Sequence, residues 1–194
     1  MYKRDQYEIQ KACEADSKYT KEAMSFVLDS IQQRFYQMPI ITDSRRSLGI
    51  ESPYLRNNTK RLGCESIWAN YKQLHKDIFD PDLSLAEKIL SVSSIPGIGI
   101  VKAGFVLQLC IGKVGCLDTH NLRMFGFSDS AFKFSKTTTR NTALAKARLY
   151  IETCEKLGGS EFLWDNWCEF IASKYPKHFT SADQVSQMHV DLIV

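Results

Sequence analysis

The sequence predicts an all-α protein. Apolar residues recur at helical spacing along most of the chain, hardly any segment alternates with the period of a half-buried strand, and capping residues, glycines and prolines punctuate the pattern at helix-length intervals. With 194 residues and 44% hydrophobic content, the chain can bury a sizeable core, as one compact domain or two closely interleaved helical lobes. The expectation is a single domain over residues 1–194.

Taken in order, residues 20–38 carry Ala23, Phe26, Val27, Ile31 and Phe35 on one face, and the pattern stops before Pro39. The next stretch, "ITDSRRSLGIESPYLRNN", has turn formers and no period, so it reads as a loop. Its Arg45 and Arg46 are either a solvated pair or a phosphate contact. Residues 66–79 form the next amphipathic helix, with Ile67, Trp68, Tyr71, Leu74 and Ile78 inward. Ser84 and Glu87 make a capping box for the short helix "LAEKILSVSS". A helix over 100–111 comes after it, closed by Gly112. The polar stretch "KFSKTTTR" is a solvent loop or a nucleic-acid backbone contact. Residues 141–157 form a helix that ends at Gly158 and Gly159. Trp164, Trp167, Phe170 and Ile171 mark another, which Pro176 ends, and these tryptophans belong to the core or to a pocket wall. Ser181 and Gln184 make a second capping box for a final helix to Val194.

Composition removes several function classes. The formal charge of +3 rules out a histone-like polycation, so any nucleic-acid contact comes from a local patch. The six cysteines are scattered, with neither zinc-site spacing nor the four-cysteine run of an iron-sulfur cluster, and read as small buried residues of a reducing compartment. No apolar run approaches the roughly 18 residues of a membrane span. The first ten residues are too charged for a signal peptide, and the expectation is a cytoplasmic monomer.

The residues that carry chemistry lie in "SIPGIGIVKAGFVLQLC", residues 94–110, and in "CLDTHNLRMFG", residues 116–126. In the first, Pro96 sets the chain direction, and Gly97 and Gly99 are expected to permit a turn that a side chain would block. The turn joins two apolar helices and leaves the first amides of the second one outward, where a phosphate can accept from them. Such a contact positions DNA without reading its sequence. In the second segment Asp118 is either a helix N-cap or a working carboxylate.

The order and spacing of these two segments resemble the helix-hairpin-helix DNA glycosylase superfamily, whose members show an LPGxG-type hairpin, a second helix and a "VDTH" segment with the catalytic aspartate. The resemblance covers residues 85–126. It implies double-stranded DNA as partner, Ile95, Pro96, Gly97, Gly99 and Lys102 at the DNA backbone, and Asp118 as the catalytic carboxylate. It assigns supporting roles to His120, Asn121 and Arg123, the last pairing with a phosphate or with Asp118. It implies no metal and no required cofactor, with a monovalent cation at the hairpin as an optional one.

Two departures shape the expected activity. Bifunctional members carry a lysine two positions after the second hairpin glycine, where this chain has Val101. Lys102 is displaced by about 100 degrees around the helix, so it is not expected to supply the missing amine. With no iron-sulfur ligands either, the wording "VKAGFVLQ" and the Asn after "DTH" look more like phage-encoded offshoots of the superfamily. Those resemble amino acid:DNA transferases of thymine hypermodification, which use a free amino acid on pyrophosphorylated 5-hydroxymethyluracil in DNA; a phage protein would work in the host cytoplasm. The alternatives are a monofunctional glycosylase and a non-catalytic hairpin module that binds DNA.

Overall fold

The computed structural model describes residues 3–128, 130–135 and 137–194, without the side chains of residues 3, 4, 119 and 120. Among the described residues the chain is all-helical, with ten α-helices and no strand. The N-terminal helix α1 (Lys3–Ala15), which the periodicity did not single out, is followed at once by α2 (Ser17–Asp29). Asp16 caps α2 by accepting the Lys18 N–H at 2.8 Å. Ala23, Met24, Phe26, Val27 and Leu28 are fully buried, so α2 is a central helix.

The helix expected over 20–38 is two elements. After Asp29 the Ser30 hydroxyl donates to the Val27 carbonyl at 2.7 Å, and Gln32 takes a left-handed φ of 58°. A 3-10 turn (Phe35–Gln37) then leads into α3 (Met38–Leu48). Pro39 opens this helix rather than ending one, because in a first turn its missing N–H leaves nothing unpaired. The expected loop is therefore mostly helical, continued by two more 3-10 turns, Gly49–Glu51 and Pro53–Leu55.

Arg45 and Arg46 are not a solvated pair: the first is buried, and the second is exposed but ion-paired. Arg45 is buried, with its Nε 2.6 Å from Asp29 Oδ2 and its Nη2 3.1 Å from Glu22 Oε2. Arg46 reaches Glu22 Oε2 at 3.2 Å and donates to the Leu192 carbonyl at 2.9 Å. The pair ties α3 to α2 and to the C-terminal helix.

Beyond them, α4 (Asn58–Phe79) starts eight residues earlier than expected, capped by Asn57, and packs along α2. The Ser84–Glu87 capping box is formed at α5 (Leu85–Ser93). Next comes α6 (Ile100–Ile111), buried on nearly all sides by α1, α2, α5 and α8 (Arg140–Lys156), and ended by left-handed Gly112. The short α7 (Thr119–Met124) lies between α6 and α8 in the chain. Gly158 and Gly159, both at positive φ, turn the chain from α8 into α9 (Gly159–Lys174). The final helix is α10 (Ala182–Ile193). Its expected capping box does not form: Ser181 makes no capping bond, and Gln184 Oε1 instead accepts the Thr180 N–H at 2.8 Å.

Buried side chains from Ile9 to Ile193 join in one contiguous core. All six cysteines are free and buried, as expected of small apolar fillers. No helix among the described residues is long and apolar enough to cross a membrane.

Candidate active site beside a helical hairpin

The hairpin between α5 and α6 is built as its sequence suggests, with one correction. Gly97 has φ 87° and packs against Thr59, so the left-handed turn depends on it. Gly99 has φ −93° and ψ −175°, which any residue adopts, and a Cβ there would meet nothing within 4 Å. The turn therefore does not need Gly99; its missing side chain leaves open space at the N-cap of α6. That N-cap makes no side-chain bond, so the first amides of α6 keep their donors outward. Pro96 is docked against Gly63 of α4, where any side chain would strike the Pro96 carbonyl. Ile95 and Ile98 are buried beneath the turn.

A cavity of about 540 Å³ lies over this hairpin, between residues 93–102 and the segment around Phe132, Lys133 and Phe134. Lys133 thus faces the hairpin. Lys136 lies outside the described residues, and Arg140 is exposed at the start of α8.

Behind the hairpin the chain turns through two left-handed residues, Gly112 at φ 64° and Val114 at φ 66°. For a β-branched residue that conformation is strained, by about 1–3 kcal/mol. Tyr150, fully buried on α8, clamps the segment just beyond them: its hydroxyl accepts the Leu117 N–H at 3.0 Å and donates to the Gly115 carbonyl at 2.6 Å. Asn121 adds a third tie, donating through Nδ2 to the Cys116 carbonyl at 2.7 Å. Leu117, between the clamps, is fully buried.

Asp118 emerges from this clamped segment at the N-terminus of α7. Its Oδ1 accepts the Asn121 N–H at 3.0 Å, so it does cap the helix. The other oxygen, Oδ2, accepts the Trp167 indole N–H at 3.2 Å. Capping does not by itself exclude chemistry, because a carboxylate offers about four acceptor positions and a cap needs only one.

The carboxylate lines a second cavity, of about 350 Å³. Phe35, Phe105, Trp167 and Tyr175 give it aromatic walls, and Lys102, Arg123 and Lys174 bring positive charge. Cys116 also lines it, but burial pushes that thiol up to about 12, which removes it as a nucleophile.

The expected residues divide between the two cavities, with Ile95, Pro96, Gly97 and Gly99 at the one over the hairpin. Asp118, Arg123 and Lys102 share the other cavity, and Asn121 is buried beneath it as a support. The His120 side chain lies outside the described residues. Lys102 lines both cavities, whereas Val101 lines only the one at the hairpin.

Sequence reasoning did not single out Tyr150 or Tyr175, placed Phe35 only on an apolar helix face, and left Trp167 between two roles. Trp164 is core, 2% exposed, while Trp167, one helical turn on, faces Asp118. A pair three residues apart carries no signal that separates them. No group of three or more His, Cys, Asp or Glu residues able to hold a metal ion occurs among the described residues. No family model matches the chain, and no curated protein or solved structure matches it.

Proposed function

We propose that the protein processes a base extruded from double-stranded DNA, on a two-lobed scaffold of the helix-hairpin-helix glycosylase kind. The observation that carries this is Asp118, fixed through both oxygens, in an aromatic-walled cavity joined to the hairpin cavity by Lys102. The hairpin amides hold the backbone, the aromatic walls receive the extruded ring, and the carboxylate meets it.

The favoured reaction is transfer of an amino acid to activated 5-hydroxymethyluracil. A cavity of about 350 Å³ leaves room for a pyrimidine and a small co-substrate together. The amine nitrogen bonds to the exocyclic carbon, the bond from that carbon to the pyrophosphate oxygen breaks, and pyrophosphate leaves with the electron pair. Asp118 takes the amine proton.

A second reading has its own support. With both oxygens already accepting N–H bonds, Asp118 is well suited to steady a developing sugar cation, as monofunctional base excision requires. Mass spectrometry of nucleosides from duplexes containing thymine, uracil, 5-hydroxymethyluracil or its pyrophosphorylated form, with and without glycine or serine, decides. A mass gain that needs both activated base and amino acid establishes transfer. A released base with an abasic strand establishes excision.

Asp118→Asn tests either form. Asparagine still caps a helix, so folding and duplex affinity stay intact while turnover falls about 100-fold or more. Full activity in that variant removes Asp118 from the chemistry, and a loss of folding reduces it to a cap. A wild-type protein that binds duplex and alters no base is a DNA-binding hairpin module instead.

A further inference from the structure

Beside the Asp118 cavity the turn between α2 and α3 meets the chain that leaves α9. Tyr36 and His178 stack there face to face, with ring centroids 3.9 Å apart and planes 5° from parallel. Tyr175 approaches Tyr36 edge-on at 5.2 Å. Both tyrosines are partly buried, whereas His178 is exposed. Because Tyr36 covers one face of the imidazole, that exposure falls on the other face and the ring edge.

The charge that these two segments carry is positive only. Arg34 Nη1 donates to the Tyr36 hydroxyl at 3.0 Å, Lys174 Nζ lies 5.4 Å from the centroid of Tyr175, and Lys177 precedes His178. All three are exposed, and no ion pair among the described residues involves them. Residues 30–42 and 170–182 contain no aspartate or glutamate. From α10, Asp191 lines a cavity with His178 but is engaged by Gln187 Nε2 at 3.0 Å. Lysines also lie over rings on α1 and α2, Lys11 over Tyr7 and Lys18 over Tyr19, but residues 5–19 carry Asp5, Glu8, Glu14 and Asp16, so the charge there is mixed.

An open ring face among cations suits an unpaired nucleic-acid strand. A base stacks on an aromatic face whatever its identity, and the phosphates on either side of it meet the cations. Bases inside a duplex are stacked on one another and offer the ring no face, and an acidic peptide would use the cations and leave the imidazole bare. Tyr175 and Lys174 line the Asp118 cavity as well, so a strand laid along the stack leads to the carboxylate.

We propose that the Tyr36–His178 stack, with Tyr175, Arg34, Lys174 and Lys177, is a platform for single-stranded DNA, on which one unpaired base stacks against the open face of His178. DNA rather than RNA as the strand rests on the base-processing reading; the stacking does not.

Fluorescence anisotropy of the full chain measures binding of a labelled DNA single strand of about 12 nucleotides, of the duplex of the same sequence, and of the matching RNA strand. The DNA strand is expected to bind wild type, and His178→Ala to weaken it about 10-fold, within the worth of one stacked base, while duplex affinity changes by less than about 3-fold. His178→Phe keeps an aromatic face and retains most of the affinity. Arg34→Gln with Lys177→Gln lowers the salt dependence of strand binding by about 1 to 1.5 in log–log slope. Urea midpoints check that the variants fold; should His178→Ala not, the Arg34 and Lys177 variant decides. The platform is overturned if the DNA strand does not bind, if His178→Ala binds it as tightly as wild type, or if duplex affinity falls by the same factor, which makes the surface a backbone contact. Tighter binding of the RNA strand overturns it too, since the surface then belongs to RNA. A protein that binds the strand through His178 yet alters no base refutes the reaction and leaves the platform standing. Base processing on duplex without strand binding refutes only the platform.

Discussion

Asp118 is held by its neighbours as firmly as a buried residue, although its own side chain opens into a cavity. Trp167 matters most for direction, because its indole N–H fixes Oδ2 while the Asn121 N–H fixes Oδ1. Trp167→Phe keeps an aromatic ring against Phe35, whose centroid lies 5.0 Å from that of Trp167, and deletes only the donor. Turnover is expected to fall about 10-fold with KM for duplex unchanged, the value of one hydrogen bond to a charged group. An unchanged turnover number would leave Trp167 as packing alone. Tyr150 acts one step further back, on the chain that delivers Asp118. Tyr150→Phe strands the buried Leu117 N–H and leaves the Gly115 carbonyl only the weak Cys154 thiol at 3.9 Å, a cost of about 1–3 kcal/mol. Urea unfolding should show it as a lower midpoint at constant slope.

At the scale of elements, α3 explains both an error of sequence reading and a source of stability. Its inward face is Met38, Ile41, Thr42 and Arg45, spaced at i, i+3, i+4 and i+7. That is a full helical stripe, yet half of it is polar, so hydrophobic periodicity passes over it. The opposite error arises just before: Ile31 and Phe35 continue the spacing of Val27 across a turn, which makes two elements look like one. By contrast the α5 capping box, the left-handed Gly112 and the hairpin were legible, because each is a local signature within a few residues. The site was legible to the same extent. Asp118 and the hairpin lie 19 to 23 residues apart and could be read together, whereas Phe35, Tyr150, Trp167 and Tyr175 reach the cavity or its support from distant parts of the chain, which no local pattern records. The Arg45 network is where α3 should be vulnerable. Arg45→Met strands Asp29, 1% exposed, and should cost about 3–5 kcal/mol. Adding Asp29→Leu and Glu22→Met, so that no buried charge is left alone, should recover most of that in thermal unfolding; no recovery would mean that the arginine contributes by packing.

On the scale of the whole molecule, five elements meet around one histidine. His189 on α10 is fully buried, stacked at 4.9 Å on Phe35 and in contact with the rings of Phe26 on α2, Phe105 on α6 and Trp164 and Trp167 on α9. Its Nδ1 lies 2.9 Å from the Val185 carbonyl, which can only accept, so Nδ1 carries the proton and Nε2 is bare and without a partner. Burial pulls its pKa down to about 4, against 6.5 for an ordinary histidine. Between those values the unfolded chain binds a proton that the folded one refuses, so stability rises with pH across that window and is lost on acidification. The full difference is about 3 kcal/mol, reached as the pH falls to about 4. His75, also pulled below its usual value by burial, contributes in the same direction but is less enclosed. Urea midpoints measured from pH 7 to pH 4 should therefore decline steeply in wild type and His75→Gln, and far less in His189→Leu, which fills the aromatic cage without a titrating group. Because four of these rings, Phe26, Phe35, Phe105 and Trp167, also wall the Asp118 cavity, the acid limb of activity should follow the unfolding midpoint in wild type and move to lower pH in His189→Leu. A slope that survives in His189→Leu would place the acid sensitivity in the carboxylates and leave His189 as a core residue with no part in it.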